Sequence, residues 1–457
     1  MLDDLKMDWP ALDAAHHLHP FTDHKSLHKA GVRVIRSAQG VYLYDNKGNR
    51  LLDGMAGLWC VAAGYGRAEL VEAAAAQMAK LPYYNTFFKT TNEPAVKLAA
   101  RLAHIAPRGL SHVFFACSGS EAVDTAIRTA RVYWQTRGKP AKRIIIGREY
   151  GYHGSTMLAA AAGGMVDMHR QAGDLPDFAH VLPPYWYEKG GQMGESEFGL
   201  YAARQLEAKI LELGAENIAA FIGEPVQGAG GVIIPPSTYW PEVNRICKAH
   251  DILLIADEVI CGFGRTGRMF GSDYFGIEPD IMTMAKAMTS GYVPLSAVML
   301  HDRVAEVMID EAGEYYHGFT YSGHPVSCAV ALKNLDIIES EGLVARADMM
   351  GEILRGKLNI ALADHPMVGE IRGVGLIGAI ELTADKRTRK PFAKIGRVGT
   401  ICRDFCIENG LVMRAVRDGM VFAPPLIISE SEIDEMVALA KKSIDQTYEI
   451  VKSEMAL

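Results

Sequence analysis

Six short apolar runs, separated by segments of helical periodicity, predict a β-sheet in the middle of the chain. Apolar residues recur at helical spacing near 67–80, 93–106 and 120–137. The runs are continuous rather than alternating, which is typical of parallel strands buried on both faces. We therefore predict a doubly wound, mostly parallel α/β sheet covered by helices on both sides. The six runs are HVFFAC (112–117), RIIIG (143–147), AAFIG (219–223), ILLIA (252–256), DIMTMA (280–285) and LSAVML (295–300).

Before the central region, two short stretches predict additional strands. VRVIRS (32–37) and GVYLYDNKGNRLLD (40–53) have β-like composition. Within the second stretch, the Asn-Lys-Gly turn at 46–48 joins two alternating segments, which indicates a hairpin.

The carboxyl-terminal part predicts a small α+β lobe. A long helical stretch follows residue 325, and VGEIRGVGLIGAIEL (368–382) and MVFAPPLIIS (420–429) then predict strands. A terminal helix is expected over 430–453. The predicted units of the chain are 1–66, 67–325 and 326–457.

Composition and charge indicate a globular protein that acts on neither nucleic acid nor membranes. The 457 residues exceed one ordinary core, and 49% of them are apolar while 22% are charged. The net charge of −7 comes without a basic run. The start, MLDDLKMDWP, lacks the pattern of a signal peptide, and the apolar run 157–166 is too short to span a bilayer. We therefore expect a cytoplasmic protein.

Neither the cysteines nor the histidines predict a metal site. Seven scattered cysteines are an odd number for a disulfide framework, which favours reduced thiols. Cys402 and Cys406 lie one helical turn apart, but no second pair of ligands follows. The amino-terminal segment is rich in histidine, yet acidic or cysteine ligands at regular spacing are missing, so we expect a solvated or interface segment. Its histidines are His16, His17, His19, His24 and His28.

Asp257 and Lys286 are the strongest candidates for catalysis. Each ends an apolar run, and buried parallel strands place their functional groups at their carboxyl ends. A carboxylate and an amine at that edge suit pyridoxal phosphate, which needs a lysine for its Schiff base and an acid beside its pyridinium nitrogen. Taken alone, Asp257 could cap a helix or bind a metal, and Lys286 could lie at the surface. The scarcity of charge around Lys286 favours the cofactor interpretation.

The segment after HVFFAC predicts a phosphate site. Ser118 begins a capping box, so Gly119 and Ser120 would present N–H groups and a hydroxyl at a helix N-terminus. The segment is neither a Walker loop nor GxGxxG. Tyr152, which follows the run RIIIG, could stack on a flat heteroaromatic ring. Glu224 follows AAFIG and could line the pocket or hold a loop together.

Together these motifs resemble the class III pyridoxal-phosphate aminotransferases of fold type I over nearly the whole chain. The matching stretches are FFACSGSEAVDTAIRTAR, YHG, GEPVQGAGG, LLIADEVICGFGRTG, HGFTYSGHP, RGVGLIGAIEL and APPLII, with a lysine 29 positions after the aspartate. The resemblance implies a large cofactor-binding domain and a small α+β domain built from both termini. It also implies a homodimer or a dimer of dimers.

The resemblance assigns roles to the candidate residues. Lys286 binds pyridoxal phosphate and moves the proton, and Asp257 pairs with the pyridine nitrogen. Val259 packs under the ring and Tyr152 stacks over it. An ionised Asp257 would keep the ring protonated and so a better electron sink, and two half-reactions on one site imply ping-pong kinetics. The phosphate is held by Gly119, Ser120 and, from the other subunit, Thr320.

Within the class, the chain most resembles the branch that transfers amino groups from amines or ω-amino acids to pyruvate. Its marks are HPFTD (19–23), GLWCVAAGYG (57–66), YYNTFF (83–88) and GLVMR (410–414). Arg414 matches an arginine that swings in to bind the acceptor carboxylate and out for an uncharged amine. Candidate donors by resemblance are a diamine such as putrescine, β-alanine, taurine and an arylalkylamine. The pocket residues implied by the resemblance are Phe21, Trp59, Tyr152 and Phe87 or Phe88.

Other functions stay open at this point. A glutamate-semialdehyde aminomutase or a dialkylglycine decarboxylase would share the cofactor site, although the aromatic pocket and Arg414 favour a transaminase. A nucleotide- or NAD-binding oxidoreductase would share the doubly wound pattern but needs a GxGxxG after an early strand. A non-catalytic binding module is disfavoured because Lys286 and Asp257 are both present.

Overall fold

A computed structural model of the protein describes residues 7–455. The stretch MLDDLK and the last two residues lie outside this description, and so do the outer ends of the predicted units 1–66 and 326–457. Within the described residues, the α-helices are α1 (Trp9–His16), α2 (His24–Ala30), α3 (Ala56–Trp59), α4 (Ala68–Lys80), α5 (Glu93–Ile105), α6 (Gly119–Thr136), α7 (Met157–Ala162), α8 (Val166–Ala172), α9 (Trp186–Lys189), α10 (Glu195–Leu213), α11 (Tyr239–Ala249), α12 (Gly271–Phe275), α13 (Asp302–Asp310), α14 (Pro325–Ser340), α15 (Leu343–Leu362), α16 (Arg397–Glu408) and α17 (Glu430–Val451).

The strands form three separate sheets. Short 3₁₀ turns cover Ala215–Asn217, Lys286–Thr289 and Lys452–Glu454. The strands are β1 (Ile35–Gln39), β2 (Tyr42–Asp45), β3 (Arg50–Asp53), β4 (Leu110–Ala116), β5 (Ile144–Arg148), β6 (Phe178–Val181), β7 (Ile218–Gly223), β8 (Leu253–Asp257), β9 (Ile281–Met284), β10 (Ser296–His301), β11 (Val368–Val374), β12 (Ile377–Leu382), β13 (Leu411–Val412), β14 (Arg414–Val416) and β15 (Gly419–Phe422).

The central sheet has the strand order β4-β10-β9-β8-β7-β5-β6. The five strands β9, β8, β7, β5 and β6 run parallel to one another, whereas β10 is antiparallel to both β9 and β4. All six predicted apolar runs are strands of this sheet, so the mostly parallel α/β architecture is confirmed. Leu254 and Ile255 of β8 pack into different cores, one with α10 and α11 and one with α6. Helices on both faces explain why the strand is apolar at consecutive positions.

The two ends of the chain meet in a smaller sheet of order β1-β2-β3-β13. The predicted hairpin is β2–β3, and β13 pairs in parallel with β3 through Leu411 opposite Leu52. Leu52 and Leu411 belong to the same buried core as Met436 of α17. The amino-terminal strands therefore pack with the carboxyl-terminal region, as expected for a small domain built from both termini. The boundaries at 66/67 and 325/326 stay a prediction.

The carboxyl-terminal strands form an antiparallel sheet of order β11-β12-β15-β14. The predicted strand over 420–429 is too long, because β15 ends at Phe422. Pro424 and Pro425 follow, and proline has no N–H to donate to a sheet ladder. None of the helices within residues 7–455 combines the length and the apolar character needed to cross a bilayer.

Candidate active site

A cleft lies at the carboxyl ends of the central strands, where α/β sheets bind ligands. It contains about 410 Å³ of empty space, part of it open to solvent. Most of the predicted cofactor residues line this cleft, together with four residues to which no role was given or whose role was left open. The predicted residues are Gly119, Ser120, Tyr152, Asp257, Val259 and Lys286, and the others are His153, Gly154, Glu224 and Ile260.

Asp257 is the last residue of β8, and its carboxylate is fully hydrogen-bonded. His153 Nδ1 donates to Oδ2 at 2.6 Å. Oδ1 accepts from Thr283 Oγ1 and from the Val259 N–H, both at 3.1 Å. The side chains of Asp257 and His153 are almost completely buried. Donors on both oxygens stabilise the ionised form of a buried carboxylate.

His153 had no assigned role from the sequence, and it is the main residue that sequence reasoning missed. It follows Tyr152 in the loop after β5, and β7 separates β5 from β8 in the sheet. Its second ring nitrogen, Nε2, is buried and has no hydrogen-bond partner within residues 7–455. The motif YHG was the available signal, but nothing in the spacing of His153 indicates that its partner is Asp257.

Glu224 is buried beside this pair, and it organises the loops around the cleft. Its Oε1 accepts from the Tyr152 N–H at 3.1 Å and its Oε2 accepts from the Gly228 N–H at 2.8 Å. Burial raises the pKa of the Glu224 carboxyl, and the nearby His153 opposes this effect. Of the two roles left open for Glu224, the structure supports both, because it lines the cleft and holds two loops.

Lys286 starts the 3₁₀ turn that follows β9, with Ala285 between the two elements. Its φ of +44° is unusual for a residue with a side chain, and such strained backbone clusters at functional sites. Burial lowers the pKa of Lys286, while Cys60 and Asp257 act in the opposite direction. A lysine with a lowered pKa is more often neutral at physiological pH, and only the neutral amine is nucleophilic.

The amino terminus of α6 lines another part of the cleft with Gly119 and Ser120. The predicted capping box of Ser118 is present, since its hydroxyl accepts from the Glu121 N–H at 3.2 Å. Among the described residues, no hydrogen-bond acceptor meets the N–H groups of Gly119 and Ser120. A Cβ at position 119 would lie 3.1 Å from a methyl group of Val259, so glycine keeps this approach open. Free N–H groups at a helix N-terminus favour a phosphate.

Arg414 and Trp59 lie close to the cleft, although Arg414 belongs to β14 of the carboxyl-terminal sheet and Trp59 ends the short helix α3. The Arg414 guanidinium carbon is 5.2 Å from the centre of the Trp59 ring, within the range of a cation–π contact. No carboxylate of the described residues forms an ion pair with Arg414. Burial lowers the pKa of Arg414, and Tyr152 acts in the opposite direction. Trp59 is buried in a left-handed backbone conformation, with φ of +60°.

The remaining predicted residues lie outside this cleft or at its margin. The ring of Phe21 is 6.2 Å from that of Tyr152, but Phe21 is 74% exposed. Phe88 is 89% exposed. The carbonyl of Thr320 accepts from the Tyr83 hydroxyl at 2.8 Å, which places Thr320 beside the YYNTFF segment instead of the cleft of its own chain. Roles for Phe87, Phe88 and Thr320 in the site stay predictions.

Comparison with known proteins identifies the family. The sequence model of the class III aminotransferases matches residues 25–444. The chain belongs to the class III aminotransferases. It is 54% identical over 442 residues to a putrescine–pyruvate aminotransferase of Pseudomonas aeruginosa, covering 96% of both chains. It is 42% identical over 435 residues to a diaminobutyrate–2-oxoglutarate transaminase of Halomonas elongata, covering 93% of this chain and 92% of that one.

Solved structures of ω-transaminases have the same fold as this class III aminotransferase. The enzyme of Pseudomonas jessenii in complex with PMP superposes with a TM-score of 0.96 at 43% identity, covering 98% of this chain and 99% of that one. An (S)-enantioselective ω-transaminase from Thermomicrobium roseum gives a TM-score of 0.93 at 43% identity, covering 96% of this chain and 98% of that one. The predicted family, fold type and enzyme class are therefore confirmed.

The aminotransferase uses pyridoxal phosphate, and the residues of the cleft fit this cofactor. The α6 N-terminus offers free N–H groups for the phosphate, and Val259 and Tyr152 lie where a flat ring can be held. Asp257 offers an anionic partner for a pyridinium, and Lys286 offers an amine for the aldehyde carbon. When bound, the cofactor supplies an electron sink that lets a substrate C–H bond break and carries the amino group between two substrates.

Proposed function

We propose that this aminotransferase moves the amino group of a primary amine or ω-amino acid to pyruvate. The observation that carries the proposal is the guanidinium of Arg414, which stacks on Trp59 next to the cleft and forms no ion pair within residues 7–455. A guanidinium matches the two oxygens of a carboxylate, and pyruvate presents such a group. The 54% identity to the putrescine–pyruvate aminotransferase supports the same pair of substrates.

In this proposal, Asp257 stabilises charge on the cofactor and Lys286 moves protons. Asp257, whose carboxylate accepts hydrogen bonds from His153 and Thr283, would bind the ring nitrogen of the cofactor. Lys286 Nζ would accept the proton from the substrate carbon and give it back later in the same half-reaction, because a neutral amine is a base. The lowered pKa of the Lys286 amine suits this acid–base role at neutral pH.

The donor is proposed from the surroundings of the pocket. Trp59 and Tyr152 are aromatic, and Phe21 lies against Tyr152 at the margin. Apolar walls accept the methylene chain of a diamine, and Arg414 must move away when the donor carries a cationic or uncharged tail. Putrescine is the first donor to test. β-Alanine, taurine and arylalkylamines remain candidates.

We also propose that the working unit is a homodimer or a dimer of dimers. Thr320 and the YYNTFF segment together form a surface with several exposed aromatic side chains, which is unusual for a monomer. If a partner chain covers this surface, Thr320 and Phe88 would lie near a cleft, either that of the partner or that of their own chain. The exposed aromatic residues of this surface are Tyr83, Tyr84, Phe87, Phe88, Tyr316 and Tyr321. The cytoplasmic location stays a prediction.

The test is a donor and acceptor panel with the purified holoenzyme. Putrescine, β-alanine, taurine and 1-phenylethylamine are each combined with pyruvate, and alanine formation is measured. 2-Oxoglutarate replaces pyruvate in a parallel series, because the Halomonas relative is named for that acceptor. Amine-dependent alanine formation with parallel ping-pong lines is the expected result. A strong preference for 2-oxoglutarate, or rearrangement or decarboxylation without alanine, would contradict the proposal.

A further inference from the structure

Three side chains near the amino terminus converge although the sequence predicted no metal site there. Asp13 lies on α1, His17 follows the end of that helix, and His19 lies two residues further along the chain. His17 Nδ1 is 3.1 Å from Asp13 Oδ1, and His19 Nε2 is 2.9 Å from Asp13 Oδ2. The three ligand atoms all lie within 4.8 Å of one another. The sequence shows no acidic ligand at regular spacing from these histidines, but in the structure Asp13 of α1 supplies one.

This arrangement has the donor set and the dimensions of a transition-metal site. Zinc binds imidazole nitrogen and carboxylate oxygen at about 2.0–2.2 Å, so two donors in a tetrahedral shell lie about 3.3–3.6 Å apart. The Asp13 oxygens lie 3.1 and 2.9 Å from the ring nitrogens of His17 and His19, a few tenths of an ångström closer, as expected for groups that share a hydrogen bond while no metal is bound. Each imidazole presents a lone pair at the nitrogen facing Asp13 when its ring proton occupies the other nitrogen.

We propose that Asp13, His17 and His19 form a binding site for a divalent transition metal such as Zn²⁺, with water completing the shell. Two imidazoles and a carboxylate suit zinc, copper or nickel better than calcium or magnesium, which prefer oxygen ligands alone. Part of the site is sheltered, since the Asp13 side chain is 17% exposed and that of His19 is 21% exposed. His17 is the exposed ligand, which leaves a path for the ion to enter.

Metal binding at this position would act on the segment that leads to the active site. The His19 N–H donates to His24 Nε2 at 2.9 Å, so the turn between α1 and α2 is already held at one point. Phe21 lies in this turn with a strained φ of +49°, and its ring contacts Tyr152. A metal that joins α1 to His19 would restrict the movement of Phe21 at the pocket margin. It would also protect this turn against hydrogen exchange.

The experiment titrates Zn²⁺ into untagged, chelator-treated holoenzyme by isothermal calorimetry. One ion per chain is expected, and His19→Ala should lower the affinity by more than the roughly 10–100-fold that loss of a supporting partner costs. Asp13→Asn should weaken binding as well. His28→Ala is the matched control, because it removes an exposed imidazole of the same segment that lies outside the cluster; its affinity should equal that of the unmodified protein.

Two further readouts distinguish a built site from scattered surface histidines. X-ray absorption at the zinc edge should report two imidazole ligands and at least one oxygen. Hydrogen exchange should slow over residues 13–23 on addition of Zn²⁺, and this change should be lost in His19→Ala. Absence of a one-to-one complex, unchanged affinity in His19→Ala, or an equal loss in His19→Ala and His28→Ala would overturn the proposal. Each of these outcomes would leave Asp13 as a simple hydrogen-bond acceptor for the two imidazoles.

Discussion

His153 Nδ1 lies 2.6 Å from Asp257 Oδ2, and both side chains are almost fully buried in the wall of the cleft. A hydrogen bond to a carboxylate is stronger than one between neutral groups, and it stabilises the ionised form. We therefore expect His153 to act on catalysis through Asp257 instead of through the substrate. The remaining oxygen of Asp257 accepts a weaker bond from Thr283 at 3.1 Å.

The first prediction concerns this pair. Without the His153 donor, the proton shared with the cofactor ring should shift towards Asp257, and the ring should become a poorer electron sink. Loss of a hydrogen bond to a charged group costs about 1.5–3 kcal/mol, so His153→Ala should lower kcat/KM by roughly tenfold or more. The pH titration of the cofactor absorbance should shift in parallel. Thr283→Val is the control and should have the smaller effect, and an unchanged titration in His153→Ala would contradict the proposed role.

Replacement of Lys286 by alanine should leave a folded protein that holds the cofactor without a covalent bond and does not transaminate. Borohydride reduction of the unmodified holoenzyme, followed by peptide mapping, should label Lys286 alone. Lys142 is an internal comparison, because burial lowers the pKa of its amine to about 8 while it lies away from the cleft. A pyridoxyl label on Lys142 or any other lysine would show that the assignment of Lys286 is wrong.

Arg414→Ala should weaken the pyruvate half-reaction much more than the half-reaction with an uncharged monoamine. A charge-assisted hydrogen bond contributes about 1.5–3 kcal/mol, so kcat/KM for pyruvate should fall roughly ten- to a hundredfold. Arg414→Lys should restore only part of this loss, since an ammonium cannot reproduce the two-pronged guanidinium. The measurement is single-turnover absorbance of each half-reaction. An equal fall in both would mean that Arg414 supports the pocket through its contact with Trp59.

Subunits that carry Thr320→Ala should complement subunits that carry Lys286→Ala. If Thr320 completes the phosphate site of its partner, each mixed dimer contains one site with both lesions and one intact site. Activity of the mixture should therefore exceed that of either parent. Mass spectrometry confirms that subunits have exchanged. A mixture no more active than its parents, despite exchange, would place Thr320 outside the partner's site.

Glu258 should make the protein less stable as the pH rises. Its side chain is fully buried, and burial raises the pKa of its carboxyl from an ordinary value near 4.5 to about 7, although Ser272 donates two hydrogen bonds to it. A raised pKa in the folded state means that the folded protein keeps a proton that the unfolded chain has lost. The stabilisation present below about pH 4.5 is therefore lost as the pH approaches 7, by of order 3 kcal/mol.

The test compares urea unfolding midpoints of the unmodified holoenzyme and Glu258→Gln at pH 5 and pH 7.5, with cofactor saturating and protein concentration constant. The glutamine variant should lose this contribution to the pH dependence. The difference in unfolding midpoint between the two proteins should therefore change from pH 5 to pH 7.5. The readout is this change and not the absolute stability, because glutamine also alters the hydrogen bonds to Gly271 and Ser272. Parallel pH profiles would contradict the prediction.

The sequence by itself determined the central sheet and the position of the candidate catalytic pair. The apolar runs are continuous because their strands are buried on both faces, and that pattern is local. Asp257 and Lys286 end such runs, and parallel strands bring their carboxyl ends to one edge. The capping box at Ser118 is equally local, so the anion site at the start of α6 could also be predicted.

Only the tertiary structure decided which distant side chains meet. Asp257 contacts His153 across the intervening strand β7, and Arg414 stacks on Trp59 although the two lie far apart in the chain. Periodicity describes one element at a time, whereas such pairs depend on strand order and on how the termini pack together. The antiparallel direction of β10 and the pairing of β13 with β3 escaped prediction for the same reason. Even the cluster of Asp13 with its two histidines depends on where a helix ends and how the chain turns, which spacing alone does not specify.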